Sequence, residues 1–570
     1  MRNRFLFALN LLLAVSIMLP TMVQAQQPGA QRLPSVEPPV ARAATPRTTH
    51  QPVMDPTGVE QDIAEALSVI QDNYVDGKKL DYNAVFKASI SSMLHTLDPH
   101  SSYFDPKELE EFRTEQRSEY IGIGATLGDL NDGKQVDTTI VATFKDAPAS
   151  RAGLRFGDRI VEVNGESMRG KHYWETREHL LGQRGTVVKV SVERAATGRV
   201  ETVEITRDAV PQPSIPEAYM LKPGIGYIAM TGGFNTTTFN ELQAALEKLH
   251  AEGMNMLVLD LRNNPGGLVI QAVRSANAFL RRGQVIVTQK GRIRDSSMTY
   301  VADNDRPDQT PLVVMVNRYT ASAAEILAGA LQDHDRALIV GETSFGKGLV
   351  QLPFSLPSDS ALMLTIAKYY TPSGRLIQRD YSNSGFYDYY TNGGSYRSDK
   401  QNEQAKPTGP ERRTDTGRAV YGGGGITPDE TVKPRLYTPP QQRLADSVFA
   451  FSREVALGHI EGFDAYNVLR PIEYGHVLKE TDFPITDPLY KALRSFVTSR
   501  TAYKVTGAQL DRERAFVERQ LRFNLTSAAY GTTTAYQVYN TDDPQIARSI
   551  EMLPRARELA QTARQTRKPS

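Results

Sequence analysis

Residues 318–351 read RYTASAAEILAGALQDHDRALIVGETSFGKGLVQ. Ser322 opens an apolar run at helical spacing, and Lys347 follows 25 residues later between Gly346 and Gly348. Residues 336–340 are a strand-like run, and 311–316 are another on the N-terminal side. Strands that are apolar at nearly every position are buried on both faces, as in a parallel sheet covered by helices. The alternation continues outward. Strands are expected at 226–230, 256–261, 284–289 and 361–369, and helices at 236–252, 268–281 and 322–331. This order predicts an α/β core.

The chain has 570 residues, room for three or four domains of about 150 residues each. Its 66 basic and 65 acidic residues nearly cancel, so no nucleic-acid footprint is visible. The one basic cluster, 564–568, reads as a solvated terminus. There is no cysteine, which excludes disulfides, thiolate catalysis, thiolate metal ligands and a lipidated cysteine. No histidines are paired at metal-binding spacing, and no metal or other cofactor is expected. At the start, Arg2 and Arg4 precede an apolar stretch from Phe5 to Met18, and Val23-Gln24-Ala25 offers a small-residue cleavage site. The apolar stretch is short for a membrane span. A cleaved signal peptide over 1–25 and a periplasmic or secreted protein are expected, with an uncleaved anchor as the competing reading.

Between these landmarks the chain divides by composition. Residues 26–57 are rich in Pro, Ala, Thr and Gln and predict a disordered linker. Residues 58–117 carry helical spacing, as at Ile63, Ala66, Leu67 and Ile70. Residues 118–207 hold short β-like runs at 138–143, 159–163, 186–194 and 200–206, with helix-like pieces near Ala149-Ser150-Arg151-Ala152 and at 173–181. The α/β core occupies 208–437. Within it, 378–420 is rich in Tyr, Gly, Asn and Ser and reads as a mobile surface loop. Residues 438–570 are expected to be mostly helical.

Ser322 sits where a strand has ended and a helix begins. The free N–H groups and positive end of a helix favour an oxyanion there, with the Ala323 N–H aimed at it. The same Ser322-Ala323-Ala324-Glu325 is also a capping box, and a cap alone is the plainer reading. Lys347 serves as a general base only if burial lowers its pKa, and its neighbours Phe345, Leu349 and Val350 suit that. The plainer reading is an exposed loop lysine. If this segment is extended, Gln351 shares a face with Lys347 and can orient it. Upstream, Asp260-Leu261-Arg262-Asn263-Asn264-Pro265-Gly266-Gly267 ends a strand in a turn able to present N–H groups. Together these are the equipment that a Ser/Lys hydrolase would need.

Three rival motifs overlap them. Gly341 to Gly348 matches G-x-x-x-x-G-K-G, but Gly348 stands where a phosphate-binding loop needs Ser or Thr, so no nucleotide is expected. Ser344-Phe345-Gly346-Lys347 matches S-x-x-K, which requires a helix that the flanking glycines oppose. His334-Asp335 invites a Ser/His/Asp reading, but no G-x-S-x-G accompanies it, and His334 is expected exposed at a helix end.

With these residues in place the chain resembles the carboxyl-terminal processing proteases, the S41 family of PDZ-containing serine endopeptidases. The matching stretches run in the family's order: Leu97-Asp98-Pro99-His100-Ser101-Ser102-Tyr103, Gly122-Ile123-Gly124, Gly157-Asp158 with Val163-Asn164-Gly165, Gly224-Ile225-Gly226, the Asp260–Gly267 turn, Ser322 to Glu325, Gly341 to Gly348, and Gly424-Gly425-Ile426-Thr427-Pro428-Asp429. The resemblance implies a β-rich PDZ module and an α/β protease core of crotonase- or ClpP-like type; with the helical N-terminal region and mostly helical C-terminal domain read from the sequence pattern, the expected fold is multidomain α/β. The insert from Gln378 to Tyr421 and the tail after Pro440 match no motif of the family. It implies Ser322 as nucleophile, Lys347 as base, Gln351 as the lysine's partner, and an oxyanion hole from Ala323 with Gly266 or Gly267. It also implies that backbone N–H groups at Ile121, Gly122, Ile123 and Gly124 bind a substrate's C-terminal carboxylate. The expected partners are protein or peptide substrates with free C-termini, and a homo-oligomer is compatible with the sequence. The rival functions are a catalytically silent PDZ scaffold of the cell envelope and a cell-wall-directed serine hydrolase working through Ser344.

Overall fold

The computed structural model describes residues 55–131, 135–382, 386–391 and 409–566. The expected signal peptide and nearly all of the expected linker lie outside the described residues. The chain divides into two compact units, one ending at Leu97 and one taking up the chain from Asp98. The first holds α1 (Pro56–Asn73) and α2 (Tyr82–His95). Aspartates start both helices: Asp55 accepts from the Gly58 N–H at 2.7 Å, and Asp81 from Asn83 and Ala84, satisfying N–H groups a helix leaves open.

The second unit begins with β1 (Ser102–Phe104), α3 (Pro106–Gln116) and β2 (Glu119–Gly122). A β-rich module follows: β3 (Ala125–Asn131), β4 (Val136–Thr143), α4 (Pro148–Arg151), β5 (Arg159–Val163), β6 (Glu166–Ser167), α5 (Tyr173–Leu180), β7 (Val187–Glu193) and β8 (Val200–Thr206). Its sheet runs β3-β4-β5-β7-β8, with β6 on β5, and closes over Ile123, Ile140, Leu154, Ile160, Val163, Val190 and Ile205. The chain leaves it through β9 (Asp208–Pro211), which pairs with β2.

The α/β core then alternates: β10 (Glu217–Lys222), β11 (Ile225–Ala229), α6 (Thr238–Ala251), β12 (Met256–Asp260), α7 (Val269–Asn277), β13 (Val285–Gly291), β14 (Met298–Val301), β15 (Leu312–Val316), α8 (Ala323–Asp333) and β16 (Ala337–Gly341). It continues with β17 (Leu349–Leu356), β18 (Ser360–Tyr370), α9 (Phe386–Thr391), β19 (Glu411–Arg413), β20 (Ala419–Tyr421) and β21 (Glu430–Thr431). The main sheet runs β10-β11-β12-β15-β16-β21, parallel except for β10 on β11. Every residue of β15 and β16 is buried, as their unbroken apolar runs require. A second sheet, β1-β18-β13-β14 with β17 on β18, is antiparallel.

The chain ends in α10 (Pro439–Ala456), α11 (Asp487–Thr498), α12 (Gly507–Arg512), α13 (Arg514–Asn540) and α14 (Pro544–Thr566). Helices α10 to α13 share a core, Phe451, Leu493, Val497 and Leu521 among it, that also takes in Leu130 and Phe156 of the β-rich module. Arg453 Nε seals the contact on the Gly157 carbonyl at 3.0 Å. Helix α14 leaves this bundle. Its Ile546, Met552, Leu553 and Ala556 pack on Val258, Val313, Met315, Leu338 and Val340 of the main sheet. The opposite face of that sheet lies under α6, α7 and α8. At about 1.5–3 kcal/mol for each fully buried Val, Leu, Ile or Met, both faces contribute heavily to stability.

The stretch 378–420, expected to be a mobile surface loop, is packed in part, while Asp380, Asp388 and all of β19 are exposed. Tyr389 and Tyr390 of α9 are 2% and 9% exposed. The β19–β20 hairpin is tied down by Arg418 to Asp335 and Asp429. Tyr and Gly in such a stretch mark an aromatic insertion with tight turns as readily as a loose loop, and composition alone does not separate the two.

Candidate active site

Strand β15 carries the chain inward, and two bonds set where it re-emerges. Thr320 donates to the Leu261 carbonyl at 2.8 Å, and the Ala321 N–H to the Asn264 carbonyl at 2.9 Å. Ser322 follows at φ 54°, ψ −117°. That conformation costs a side-chain-bearing residue about 1–3 kcal/mol and is kept only where its surroundings enforce it. The main-chain surroundings are the Gly266-Gly267 turn. A Cβ at Gly266 would lie 2.7 Å from Ser322 Cβ and 2.9 Å from the Ala323 nitrogen, and one at Gly267 2.3 Å from the Phe234 carbonyl oxygen. Both positions also have positive φ, so only glycine fits.

Asn264 organises this turn from a fully buried position. Its Oδ1 accepts from the Gly266 N–H at 2.9 Å, and its Nδ2 donates to the Met230 carbonyl at 2.7 Å. The Gly266 N–H is therefore committed. Among the described residues the N–H groups of Ala323 and Gly267 meet no acceptor. Arg262 braces the turn from behind, bonding Asp260, Asp543 and Gln545 at 2.7, 2.7 and 2.8 Å.

Glu325, fully buried, joins the serine to the lysine loop. One carboxylate oxygen accepts from the N–H groups of Ser322 (2.8 Å) and Lys347 (2.9 Å). The other accepts from the Gly346 N–H (2.7 Å) and the Ser344 hydroxyl (2.5 Å). Burial pushes its pKa up to about 7 while these four donors pull it back. Tyr369 adds a second tie, its hydroxyl shared between the carbonyls of Ser322 (2.8 Å) and Lys347 (2.6 Å). The sequence shows Glu325 only as the far end of a capping box. Its reach to Gly346 and Lys347, 21 and 22 residues on, has no local signal.

Lys347 is half-buried, and its Nζ donates to Gln351 Oε1 at 2.8 Å. Burial lowers its pKa to about 8, against the raising influence of Asp98 and Glu325. At pH 7 such an amine is neutral in roughly one molecule in ten, against about one in three thousand for an unshifted lysine. Gln351 Nε2 donates to the His100 carbonyl at 2.6 Å.

Two rival residues stand elsewhere. Ser344 is 0% exposed, and its hydroxyl is taken up by Glu325 and by the Ile426 N–H (2.6 Å). His334, expected exposed, is 8% exposed. Its ring lies between the Asp415 carboxylate (2.9 Å) and the Val285 carbonyl (2.7 Å). Both partners come from distant segments, so the sequence around His334 does not announce its burial.

Ile121 and Gly122 end β2, and Ile123 and Gly124 lead into β3, the edge strand of its sheet, with α5 packed beside it. Gly124 has φ 75°, and a Cβ there would lie 2.3 Å from Ala147 Cβ. The Tyr120 ring lies against Gly122.

Residues 224–383 match the family model described as peptidase family S41, and residues 140–194 match a PDZ domain model. A carboxy-terminal-processing protease of Bartonella bacilliformis is 38% identical over 308 residues, 53% of this chain and 68% of that protein. A carboxy-terminal processing protease of Bacillus subtilis is 35% identical over 303 residues, 53% of this chain and 63% of that protein. Among solved structures, the photosystem II D1 C-terminal processing protease is 29% identical, covering 65% of this chain and 92% of that one, with a TM-score of 0.33.

Proposed function

The chain belongs to peptidase family S41, the carboxy-terminal processing proteases, which are serine peptidases, and we propose that it is an exported endopeptidase using a Ser322/Lys347 dyad to cut proteins near their C-termini. One observation carries the dyad: Glu325 binds the backbone of both residues, and burial holds the Lys347 amine near pH 8. Neutral Lys347 takes the proton of the Ser322 hydroxyl as its oxygen attacks the peptide carbonyl. The Ala323 N–H and the uncommitted Gly267 N–H receive the oxyanion. Lys347 returns the proton to the leaving amine, and water admitted by the same base hydrolyses the acyl-enzyme. Gln351 accepts an N–H of the amine and so leaves its lone pair for the serine.

The PDZ module recruits the substrate. A peptide adds as a strand along the edge of β3, with its carboxylate at the loop Ile121 to Gly124. Export through a cleaved 1–25 leader is part of the proposal and places the enzyme in the periplasm or outside the cell. No observation favours a silent scaffold, and the burial of Ser344 leaves a hydrolase working through it without support.

A fluorophosphonate probe tests the reading. It should modify Ser322, and a peptide with a free apolar C-terminus should bind at least several-fold tighter than its amidated form. Labelling at another serine would overturn the nucleophile, and equal affinities would remove carboxylate capture. A mature N-terminus other than Gln26 in the exported protein would overturn the cleavage site.

A further inference from the structure

Behind the lysine lies a cluster that proton transfer itself does not use. Asp98 turns the chain: its carboxylate accepts from the N–H groups of His100 and Ser101, both at 2.8 Å, and from the Ser101 hydroxyl at 2.7 Å. The next link is the His100 carbonyl, which holds Gln351 Nε2. With its NH₂ on a carbonyl, Gln351 can only turn its oxygen to Lys347.

The His100 ring is clasped from the other side. Tyr390 donates to the Pro99 carbonyl at 3.1 Å, so at its 3.3 Å contact with His100 Nδ1 it accepts. Tyr389 accepts from Gln378 Nε2 at 3.0 Å and donates to His100 Nε2 at 3.0 Å. Gln378 Oε1 in turn takes the N–H of Gly348, next to the lysine, at 2.8 Å. This network fits one neutral tautomer, protonated on Nδ1. Burial, then Lys347, then Arg379 hold the His100 pKa well below its ordinary value. Phe345 stands edge-on to the ring at 6.2 Å, and Arg379 lies over Phe345 and Tyr389 at 4.8 and 4.2 Å.

Resting on the Ser322/Lys347 reading, we infer that His100 is a positioning residue for the general base: its neutral ring, held by Tyr389 and Tyr390, fixes the carbonyl that orients Gln351, and Gln351 fixes the lysine amine. A lysine side chain otherwise has its rotamer entropy to lose on being held in one place. Neutrality matters as well as placement. The charged groups facing the amine are Asp98 and Glu325, with Arg379 beyond the aromatic rings. A charged imidazole would add a cation and break the bond from Tyr389.

The test is a double-mutant cycle in the full chain, read by peptide hydrolysis. His100→Ala and Gln351→Ala should each lower kcat by about 10-fold with KM kept. The double variant should be no slower than Gln351→Ala alone. In His100→Ala, water reaching Lys347 should move the rising limb of kcat/KM by roughly one pH unit upward from about 8. Tyr389→Phe, which removes one hydroxyl and keeps the packing, should show the same coupling at about 2–5-fold; it carries the cycle if His100→Ala does not fold. Fully additive losses, or a limb that stays in place, would overturn the inference. Cleavage surviving in Lys347→Ala would instead overturn the dyad beneath it.

Discussion

Helix α8 is capped by Ser322 at its start and, 11 residues long, ends at Asp333, with His334 and Asp335 just beyond. Both ends bring a hydroxyl, imidazole or carboxylate to a helix terminus. At the C-terminal end every such group is spent. His334 is bonded through both ring nitrogens. Asp333 accepts from Arg375 (2.5 Å) and the Ser373 N–H (2.9 Å), and Asp335 from Arg418 Nε (2.7 Å) and the Thr416 N–H (2.6 Å). At the N-terminal end the serine is half-buried at a positive φ, and among the described residues two N–H groups beside it lack acceptors. The difference teaches that residue type does not separate a reacting centre from a structural knot. Uncommitted donors do; a positive φ alone does not, since Asp335 at the C-terminal end also has φ 51°.

The largest effect should come from Ser322→Ala, which lowers kcat/KM for peptide cleavage by about 10³-fold or more. Its Tm should fall little, because a lost cap costs about 1 kcal/mol. His334→Ala should lose stability and keep cleavage in the folded fraction. A cleaving Ser322→Ala with a dead but folded His334→Ala would reverse the comparison. Lys347→Arg should lose about 10²–10⁴-fold, since arginine keeps the charge and cannot become a base. In the native enzyme the neutral amine fraction rises about tenfold per pH unit below 8 and saturates above it. A flat profile of kcat/KM between pH 6 and 9 would therefore contradict a lysine base.

Smaller effects sharpen the contrast through stability. Arg375→Ala strands buried Asp333 and should cost about 3–5 kcal/mol in urea unfolding, with kcat of the folded enzyme unchanged. Lys347→Met should act the other way. The lysine's folded pKa of about 8 lies below its unfolded value, so below pH 8 burying the ammonium costs up to about 3 kcal/mol. That cost disappears as pH rises through the unfolded pKa. Lys347→Met should raise stability by about 1–3 kcal/mol at pH 7 and by little at pH 11. A loss at pH 7 would show that Gln351, Asp98 and Glu325 more than offset the burial.

The sequence makes β12, β15 and β16 legible because strands buried on both faces leave unbroken apolar runs. Ser322, Lys347 and Gln351 are legible as residue types in a spaced order. Other features depend on partners far along the chain. The Asp415 that takes His334 lies 81 residues on, and the His100 carbonyl that takes Gln351 lies 251 residues back. Strand β3 carries Gly128 and Asp129 and breaks the alternation that would announce it. Helix α14 reads as the end of a helical tail, and nothing in its own spacing points to the sheet it covers.

That last helix has a consequence for biogenesis. A chain made from its N-terminus presents β16 about 200 residues before α14 appears, which at 5–20 residues per second is roughly 10–40 s of synthesis. Until α14 is made, Val258, Val313, Met315, Leu338 and Val340 lack the helix residues that cover them in the finished fold. Arg262, at the root of the glycine turn, waits equally long for Asp543 and Gln545. Support for the glycine turn from Asp543 and Gln545 thus arrives after every residue of the proposed dyad and its partners has been made.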